Sequence, residues 1–317
     1  MENYLNRTAQ SASYYEDLDS EIQVFEFTDS ICTWCWGSEP QVRALEFLYP
    51  DTLNVDFITG GLVKDIRDFF APTSGIKENP KLANEAIASH WQEASERHQM
   101  PILVDTMDYF DEQRLSSYPN NIAYKAAQFQ SRIKAKRFLR LMREAIYMEG
   151  KATNTTAVLA KLAEEAGLDL GMFIEDFKDK DAYRAFLDDK DACAYYQVNG
   201  FPAFLIRIGN KETILRGYQG LENFLGAIDK LSEGKYQTQI PELNEEHVLS
   251  YFDKFKSAFS VELACAFRVS KEDIRLISIL NKLVSDKHLS MPYGKDLAYY
   301  VFNDSDPLHI SSWESAQ

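Results

Sequence analysis

The chain has 317 residues, of which 45% are hydrophobic and 26% are charged, and its formal net charge at pH 7 is −15. This length and apolar content allow a substantial core and more than one domain. The strong negative charge argues against a general nucleic-acid binder, because affinity for phosphates rests on Lys and Arg. Four cysteines are too few for a disulfide-rich scaffold.

Residues 1–20 are predicted to form a polar, mildly acidic N-terminal extension. They have neither the basic start nor the apolar centre of a signal peptide. No later segment approaches the roughly 18 uninterrupted apolar residues of a membrane-spanning helix. We therefore expect a cytoplasmic protein with no membrane association, in a compartment where glutathione tends to keep thiols reduced.

The first predicted strand, Ile22–Phe27, leads into Cys32-Thr33-Trp34-Cys35, and a helical pattern follows after Pro40. Two thiols two residues apart, between a strand and a helix, are typical of a dithiol redox site. If the helix begins near Cys32, its sulfur faces unpaired backbone N–H groups and the positive end of the helix dipole. This position favours the thiolate, so Cys32 is the predicted nucleophile and Cys35 the resolving thiol.

A zinc site is the main alternative for a C-x-x-C pair, since structural zinc usually takes four ligands. The chain has no second C-x-x-C, and its five His residues show no matching spacing. The other cysteines, Cys193 and Cys265, are isolated. We therefore predict a redox dithiol without a metal or cofactor, and we interpret Cys193 as a small core residue.

Three further residues near the dithiol are candidates for function. Glu26 lies on the predicted strand on the same side as Ile22 and Val24, which favours burial beneath the cysteines. A carboxyl group desolvated there could exchange a proton with Cys35, whereas a Glu on a solvated edge would have no such role. Trp34 and Trp36 are predicted to bind substrate through their apolar surfaces, with packing the simpler role for one of them.

The segment 62–185 is predicted to be helical, with helices at Leu82–His98, Ile122–Tyr147, Thr155–Ala166 and Gly171–Phe177. Six basic residues follow one another closely in the second helix. The amphipathic pattern predicts that they lie on its solvated face, with docking to an acidic partner as the alternative. They are Arg132, Lys134, Lys136, Arg137, Arg140 and Arg143.

Far downstream, Phe201-Pro202 precedes a strong predicted strand, Ala203–Ile208. A proline cannot donate a ladder hydrogen bond, so it is expected at the start of a strand, and it also suits a cis turn. An ordinary strand-initiating proline is the alternative. A strand at Glu212–Leu215 and a helix at Leu221–Leu231 are predicted next.

The dithiol, the proline and the helices between them resemble the DsbA-like branch of the thioredoxin superfamily, including the FrnE-type dithiol-disulfide isomerases. The resemblance covers about residues 21–235, and the Cys32–Gly37 motif departs from the family only by Thr33 in place of Pro. It implies an α/β thioredoxin fold formed by 21–61 and 186–236, with 62–185 as an inserted helical domain. It further implies that the Pro202 loop faces the dithiol, with Phe201 beside the substrate.

A second resemblance rests on the stretch Asn121–Ala127 and on Arg137-Phe138-Leu139, which are similar to a helix of the YjbH, or SpxH, proteins. That family consists of cytosolic adaptors that deliver the regulator Spx to the ClpXP protease. The resemblance therefore implies a client regulator and ClpXP as partners.

After a plausible linker at Thr238–Pro241, the order of predicted elements is helix, helix, helix and hairpin. This order resembles a winged helix, so 241–302 is predicted as a small winged-helix-like module. Ser270 is expected to cap its last helix, and the buried stripe is expected to contain Ile274, Ile277, Leu280 and Leu283. The module lacks an excess of basic residues, which favours protein interaction over DNA binding. Residues 303–317 are predicted as a flexible tail.

Two functions fit these observations. The first is a cytosolic thiol-disulfide oxidoreductase or isomerase acting on protein or peptide thiols, with Cys32, Cys35, Pro202 and Glu26 as catalytic residues. The second is a SpxH-type adaptor in which the dithiol is sensory or vestigial.

Overall fold

The computed structural model describes residues 20–71, 74–104, 107–238, 240–294 and 297–303. The predicted N-terminal extension and C-terminal tail therefore lie outside the described residues, except for residues 20 and 303. Among the described residues, no helix combines the length and the apolar character needed to cross a membrane.

The described chain alternates strands and helices in its first and last thirds and is helical between them. The strands are β1 Ile22–Thr28, β2 Leu53–Thr59, β3 Ala203–Ile208, β4 Lys211–Arg216, β5 Ser257–Phe259, β6 Leu289–Ser290 and β7 Tyr299–Phe302. The first helices are α1 Thr33–Trp36, α2 Glu39–Leu48, α3 Ile66–Phe69, α4 Leu82–His98, α5 Tyr118–Gln130, α6 Arg132–Tyr147 and α7 Thr156–Glu165. The others are α8 Leu170–Lys178, α9 Lys180–Tyr195, α10 Leu221–Ser232, α11 Glu245–Phe255, α12 Ser260–Ala266 and α13 Ile274–Ser285.

The chain divides into two compact units that do not follow the predicted domains. The first unit runs to Ser38 and resumes from Asp51 to Tyr236, so it contains the helical insert and the thioredoxin-like segments without Glu39–Pro50. The second unit consists of Glu39–Pro50 and the chain from Gln237 onward. The helix α2, which the sequence assigned to the thioredoxin-like domain, therefore belongs to the second unit. The finer subdivision at residues 62 and 185 stays a prediction.

The first unit is built on a four-stranded sheet with the order β2-β1-β3-β4. β1 is parallel to β2 and antiparallel to β3, with Phe27 opposite Ala203. All its residues except Gln23 are buried, as expected for a central strand. Because β3 runs antiparallel to β1, its first residues lie at the carboxyl end of β1, where the dithiol loop begins.

The helical insert differs from its prediction at one break. The predicted helix Ile122–Tyr147 is two helices, α5 and α6, because Ser131 has an extended backbone with φ −165° and ψ 128°. Its hydroxyl accepts a hydrogen bond from the Lys134 N–H and so caps α6. The strand β2 and the helices α3 and α9 were not predicted.

The basic residues of α6 do not all lie on a solvated face. Arg140 and Arg143 are buried, and Arg143 is fully inaccessible to solvent. The prediction of a solvated basic face is therefore wrong for these two side chains, because each has a buried partner. Arg140 lies over the Trp36 ring at 4.7 Å from its centroid, and Arg143 forms an ion pair with Glu26.

A buried ion pair connects three elements of the first unit. The Lys125 Nζ atom of α5 lies 2.5 Å from Asp189 Oδ2 on α9. The same oxygen accepts hydrogen bonds from the N–H and hydroxyl groups of Thr59, at the end of β2, at 2.6 and 2.9 Å. These contacts compensate the burial of the carboxylate, which is otherwise costly.

The second unit contains a three-stranded antiparallel sheet with the order β5-β7-β6. The helices α11, α12 and α13 and the β6–β7 pair follow one another in the predicted order, but the strand β5, which was not predicted, lies between α11 and α12. In the core of this unit, Arg43 of α2 lies 3.3 Å from the buried Glu262 of α12 and donates a hydrogen bond to the Ser257 carbonyl.

The prediction for α13 is partly wrong. Its N-cap is Asp273, whose carboxylate accepts from the Arg275 N–H, and not Ser270. Ile274 and Ile277 are 79% and 42% exposed, so they do not lie on the buried stripe. That stripe consists of Leu276, Leu280 and Leu283.

The Lys125–Asp189 pair generates a stability prediction. Lys125→Met removes the cation opposite a buried carboxylate, so we expect a loss of about 3–5 kcal/mol in the free energy of unfolding. Urea denaturation at pH 7 measures it. Lys161→Met is the matched control, because Lys161 forms an exposed pair with Glu165, and its expected effect is within about 0.5 kcal/mol. Equal losses in the two variants would contradict the assigned role of Lys125.

Candidate active site

Cys32 stands at the N-terminus of the short helix α1, as predicted. It is the N-cap residue, and its Sγ atom accepts a hydrogen bond from the Cys35 N–H at 3.2 Å. Its own N–H donates to the Asp29 carbonyl at 3.1 Å. The geometry thus aims one backbone N–H of the first turn, that of Cys35, at the first sulfur.

Cys35 lies deeper than Cys32. It is fully buried, whereas 5% of Cys32 is accessible. Burial raises the pKa of the Cys35 thiol well above its usual range, with further increases from neighbouring Cys32 and from the Glu26 carboxylate. A protonated, buried second thiol suits the resolving role, because it becomes reactive only after the first sulfur has engaged a substrate.

The loop before the dithiol is held by one buried carboxylate. Asp29 accepts hydrogen bonds from the N–H groups of Ile31 and Leu62, at 3.1 and 2.7 Å. It also accepts from the Ser117 hydroxyl and the Asn121 amide, both at 2.9 Å. Burial raises the pKa of Asp29, and these four hydrogen bonds oppose that rise. The insert therefore fixes the backbone that positions Cys32.

The Pro202 loop lies at the same end of the sheet as the dithiol. The Phe201–Pro202 peptide bond is cis, as the sequence suggests. The Pro202 carbonyl accepts a hydrogen bond from the Gly217 N–H at 2.9 Å, and the next residue, Tyr218, contacts Trp34 with ring centroids 5.8 Å apart. This chain of contacts connects the cis-proline loop to the middle of the C-x-x-C motif. A catalytic role for Pro202 stays a prediction.

Phe201 packs beside that loop without being fully buried. Its ring covers Gly60 so closely that a Cβ atom there would lie 2.0 Å from Phe201 Cζ. Cys193 lies in the same apolar cluster, and burial raises its pKa to about 12. Cys193 is therefore a core thiol, and substrate binding by Phe201 stays a prediction.

Glu26 is fully buried on β1, as its alternation with Ile22 and Val24 indicates. Its Oε1 atom accepts hydrogen bonds from the Thr28 hydroxyl at 2.8 Å and from Arg143 Nη2 at 3.0 Å. The sequence did not reveal Arg143, which brings a positive charge from α6 and lowers the pKa of Cys35 while Glu26 raises it. Glu26 is thus a member of a buried ion pair, and proton exchange with Cys35 stays a prediction.

The two tryptophans occupy different environments. Trp36 is fully buried, stacks on Tyr147 and donates from Nε1 to the Pro101 carbonyl at 2.9 Å. It therefore has the packing role predicted for one of the two tryptophans, because a fully buried ring offers no surface to a substrate. Trp34 is half-buried between His98 and Tyr218, so it remains a candidate for substrate contact.

Sequence reasoning missed His98, the last residue of α4. Its Nδ1 atom accepts from the Met100 N–H at 3.1 Å, and its Nε2 atom lies 3.3 Å from the Thr33 hydroxyl. Burial lowers the pKa of His98 to about 4, so the imidazole is neutral at pH 7. No spacing or motif in the sequence connects His98 to the dithiol, because the contact arises only when the insert packs on α1.

The described residues contain no group of three or more His, Cys, Asp or Glu side chains arranged to hold a metal ion. The site thus consists of two thiols, the cis-proline loop, a buried ion pair and a neutral imidazole.

The model of a thioredoxin family, Thioredoxin_5, matches residues 25–222, which is more than half of the chain. This chain belongs to that family. The match includes the dithiol, the helices of the insert and the Pro202 loop, so all elements of the site lie within one thioredoxin-family region.

Comparison with known proteins agrees with both predicted resemblances. The ClpXP adapter protein SpxH of Halalkalibacterium halodurans is 25% identical over 284 residues, covering 88% of this chain and 89% of that protein. SpxH of Bacillus subtilis is 23% identical over 259 residues, covering 80% of each. A putative protein disulfide isomerase from Nitrosomonas europaea has a similar structure, with a TM-score of 0.56, 20% identity and coverage of 68% of this chain and 99% of that one.

These comparisons confirm the predicted α/β fold, a DsbA-like thioredoxin fold with a large helical insert. The structural likeness supports the fold alone. The winged-helix interpretation of the C-terminal module stays a prediction.

The pKa of His98 predicts a pH dependence. The His98 imidazole has a pKa of about 4 in the folded protein and of 6.5 in the unfolded chain. Between these two pH values, unfolding is therefore accompanied by the uptake of a proton. Stability is therefore complete above pH 6.5 and falls by about 3 kcal/mol towards pH 4. His98→Gln removes this contribution and flattens the dependence, as measured by urea unfolding at several pH values. His90→Gln, at an exposed position of the same helix, is the control, and identical slopes in all three proteins would contradict the prediction.

Proposed function

We propose that this chain is a cytoplasmic thiol-disulfide oxidoreductase or isomerase that acts on protein or peptide substrates. The observation that carries the proposal is the pairing of Cys32, at the start of α1, with the buried Cys35 beneath it. The contact from Trp34 through Tyr218 to the cis-proline loop supports a substrate-binding edge beside the first sulfur.

The reaction follows from the positions of the two sulfurs. The Cys32 thiolate attacks one sulfur of a substrate disulfide, that disulfide breaks, and its other sulfur leaves as a thiol after taking a proton. Cys35 then loses its proton and attacks Cys32, which releases the second substrate thiol. The substrate gains two electrons and two protons, and the pair becomes a Cys32–Cys35 disulfide. The reverse sequence oxidises a substrate dithiol.

Glu26 is our proposed proton partner for Cys35. It lies in the same buried region, and its negative charge raises the pKa of the Cys35 thiol. The carboxylate therefore favours the protonated form of Cys35 until the proton is transferred. The Thr28 hydroxyl and Arg143 Nη2 both donate hydrogen bonds to Oε1 of this carboxylate. Fixing one oxygen in this way gives the carboxylate a defined orientation.

The trapping of substrates tests the oxidoreductase proposal. Cys35→Ser removes the resolving thiol, so we expect mixed disulfides between Cys32 and partner proteins to accumulate after oxidation with diamide. Nonreducing electrophoresis and mass spectrometry measure them. The experiment uses a Cys193→Ala, Cys265→Ala background, so that other thiols do not contribute.

The matched control is Cys32→Ser in the same background, which retains only the buried Cys35. At least a tenfold difference in trapped protein is expected between the two variants. Equal trapping, or none with either variant, would argue against a catalytic dithiol.

A second function, that of a SpxH-type adaptor, is supported by a different observation. The likeness to SpxH of Halalkalibacterium halodurans covers 88% of this chain, so it extends beyond the thioredoxin-family region. In this proposal the chain binds a client regulator similar to Spx and delivers it to ClpXP, and the dithiol has a sensory role or none.

Degradation of an Spx-type regulator by purified ClpXP tests the adaptor proposal. The full chain should accelerate degradation, and Cys32→Ser/Cys35→Ser should retain that effect within about twofold under reducing conditions, because binding surfaces rather than sulfur chemistry carry it. Reactions without ATP provide the baseline. If the wild-type chain gives no acceleration, the adaptor proposal fails, and if only the serine variant fails, the dithiol is required for adaptor activity.

A further inference from the structure

His98 contacts three residues of the active-site helix from outside the thioredoxin-like segments. Besides the Thr33 hydroxyl, it touches the Trp34 ring edge-on, with centroids 5.8 Å apart. It also covers the backbone of Gly37, where an added Cβ atom would lie 2.4 Å from His98 Cγ. The imidazole therefore contacts the two middle residues of the C-x-x-C motif and the glycine that follows it.

The hydrogen bonds define which ring nitrogen carries the proton. The Met100 N–H donates to Nδ1, so this nitrogen presents its lone pair. In a neutral imidazole the single proton then lies on Nε2, which donates to the Thr33 hydroxyl oxygen at 3.3 Å. A proton on Nδ1 would point at the Met100 N–H, so that two hydrogen-bond donors would oppose each other. This agrees with the pKa of His98, which burial lowers.

We propose that His98 is a positioning residue for the dithiol, and that its Nε2–H holds Thr33 and so sets the thiol-disulfide equilibrium of Cys32 and Cys35. Thr33 begins the turn in which the Cys35 N–H donates to Cys32 Sγ. A fixed Thr33 keeps that N–H aimed at the sulfur. The inference rests on the proposed oxidoreductase function.

The direction of the effect follows from the form that the N–H group stabilises. An N–H donor interacts more strongly with a thiolate than with a disulfide sulfur, so a well-aimed donor favours the reduced pair. Loosening the turn weakens that donation. The Cys32–Cys35 disulfide then becomes more stable relative to the dithiol, and the pair becomes more reducing.

Equilibration with glutathione measures this change. In the reaction, Cys32 and Cys35 give two electrons and two protons to glutathione disulfide, which becomes two molecules of glutathione while the protein disulfide forms. Thr33→Val removes the hydroxyl acceptor. His98→Asn keeps an acceptor for the Met100 N–H but cannot reach Thr33. Each should raise the equilibrium constant for disulfide formation about two- to tenfold, the effect of one hydrogen bond.

Two conservative variants and one double variant make the test specific. Thr33→Ser retains a hydroxyl, and the amide nitrogen of His98→Gln can take the place of Nε2–H, so both should remain within about twofold of the wild type. If the residues act as one unit, Thr33→Val/His98→Asn should show no more than the larger single effect. Multiplied single effects, or no change in His98→Asn while Thr33→Val shifts, would overturn the proposal.

A second measurement separates this inference from the proposed function. If the wild-type pair forms no disulfide in any glutathione buffer, the oxidoreductase proposal fails. The rate at which iodoacetamide alkylates Cys32 in the Cys193→Ala, Cys265→Ala background then still reports thiolate reactivity. The same pattern is expected, with rates lowered two- to tenfold in Thr33→Val and His98→Asn and restored in Thr33→Ser and His98→Gln. Unchanged rates in all four variants would overturn the positioning role.

Discussion

The buried carboxylates of β1, of the loop after it and of the helix α9 require partners, and the helical insert provides them. Glu26, Asp29 and Asp189 are nearly or fully inaccessible to solvent. A carboxylate in such a position costs several kcal/mol unless a cation or several hydrogen-bond donors compensate it. Each of the three receives its compensation from α5 or α6. The insert is therefore part of the structure that makes the sheet possible, and the dithiol loop depends on it through Asp29.

The same dependence connects the insert to the chemistry. Arg143 brings a positive charge to Glu26 on the strand that leads to the dithiol, and the charges of these two residues act on the Cys35 thiol in opposite directions. His98, at the end of α4, contacts the turn that carries both cysteines. A thioredoxin-like sheet alone would contain neither group. The insert consequently offers a way to adjust the dithiol from outside the motif.

The sequence was informative where function rests on adjacent residues and silent where it rests on packing. Cys32, Cys35, the cis peptide before Pro202 and the burial of Glu26 follow from local motifs or from strand alternation. The sequence predicts Arg143 on a solvated face, because the pattern of charges along a helix does not reveal its buried partner on another element, Glu26. His98 lies 65 residues from Thr33, and no sequence periodicity indicates such a contact.

The strand β2 was not predicted, because its Asp56 interrupts the apolar pattern of a buried strand. In the structure Asp56 is buried, with Gln128 and Arg132 as its partners.

The composition of the second unit affects how the two functions can be separated. Its helix α2 begins four residues after Cys35, and its Arg43 lies against Glu262 in the buried core of that unit. Removing the chain from residue 238 onward would therefore leave α2 without its core, and the buried arginine without the carboxylate opposite it, so such a truncation cannot test the adaptor function alone. Point substitutions at the two sulfurs leave both units complete. The peptide chain that leaves the dithiol helix enters the second unit directly, at Glu39. The two proposed functions must therefore be separated by point substitutions rather than by truncation.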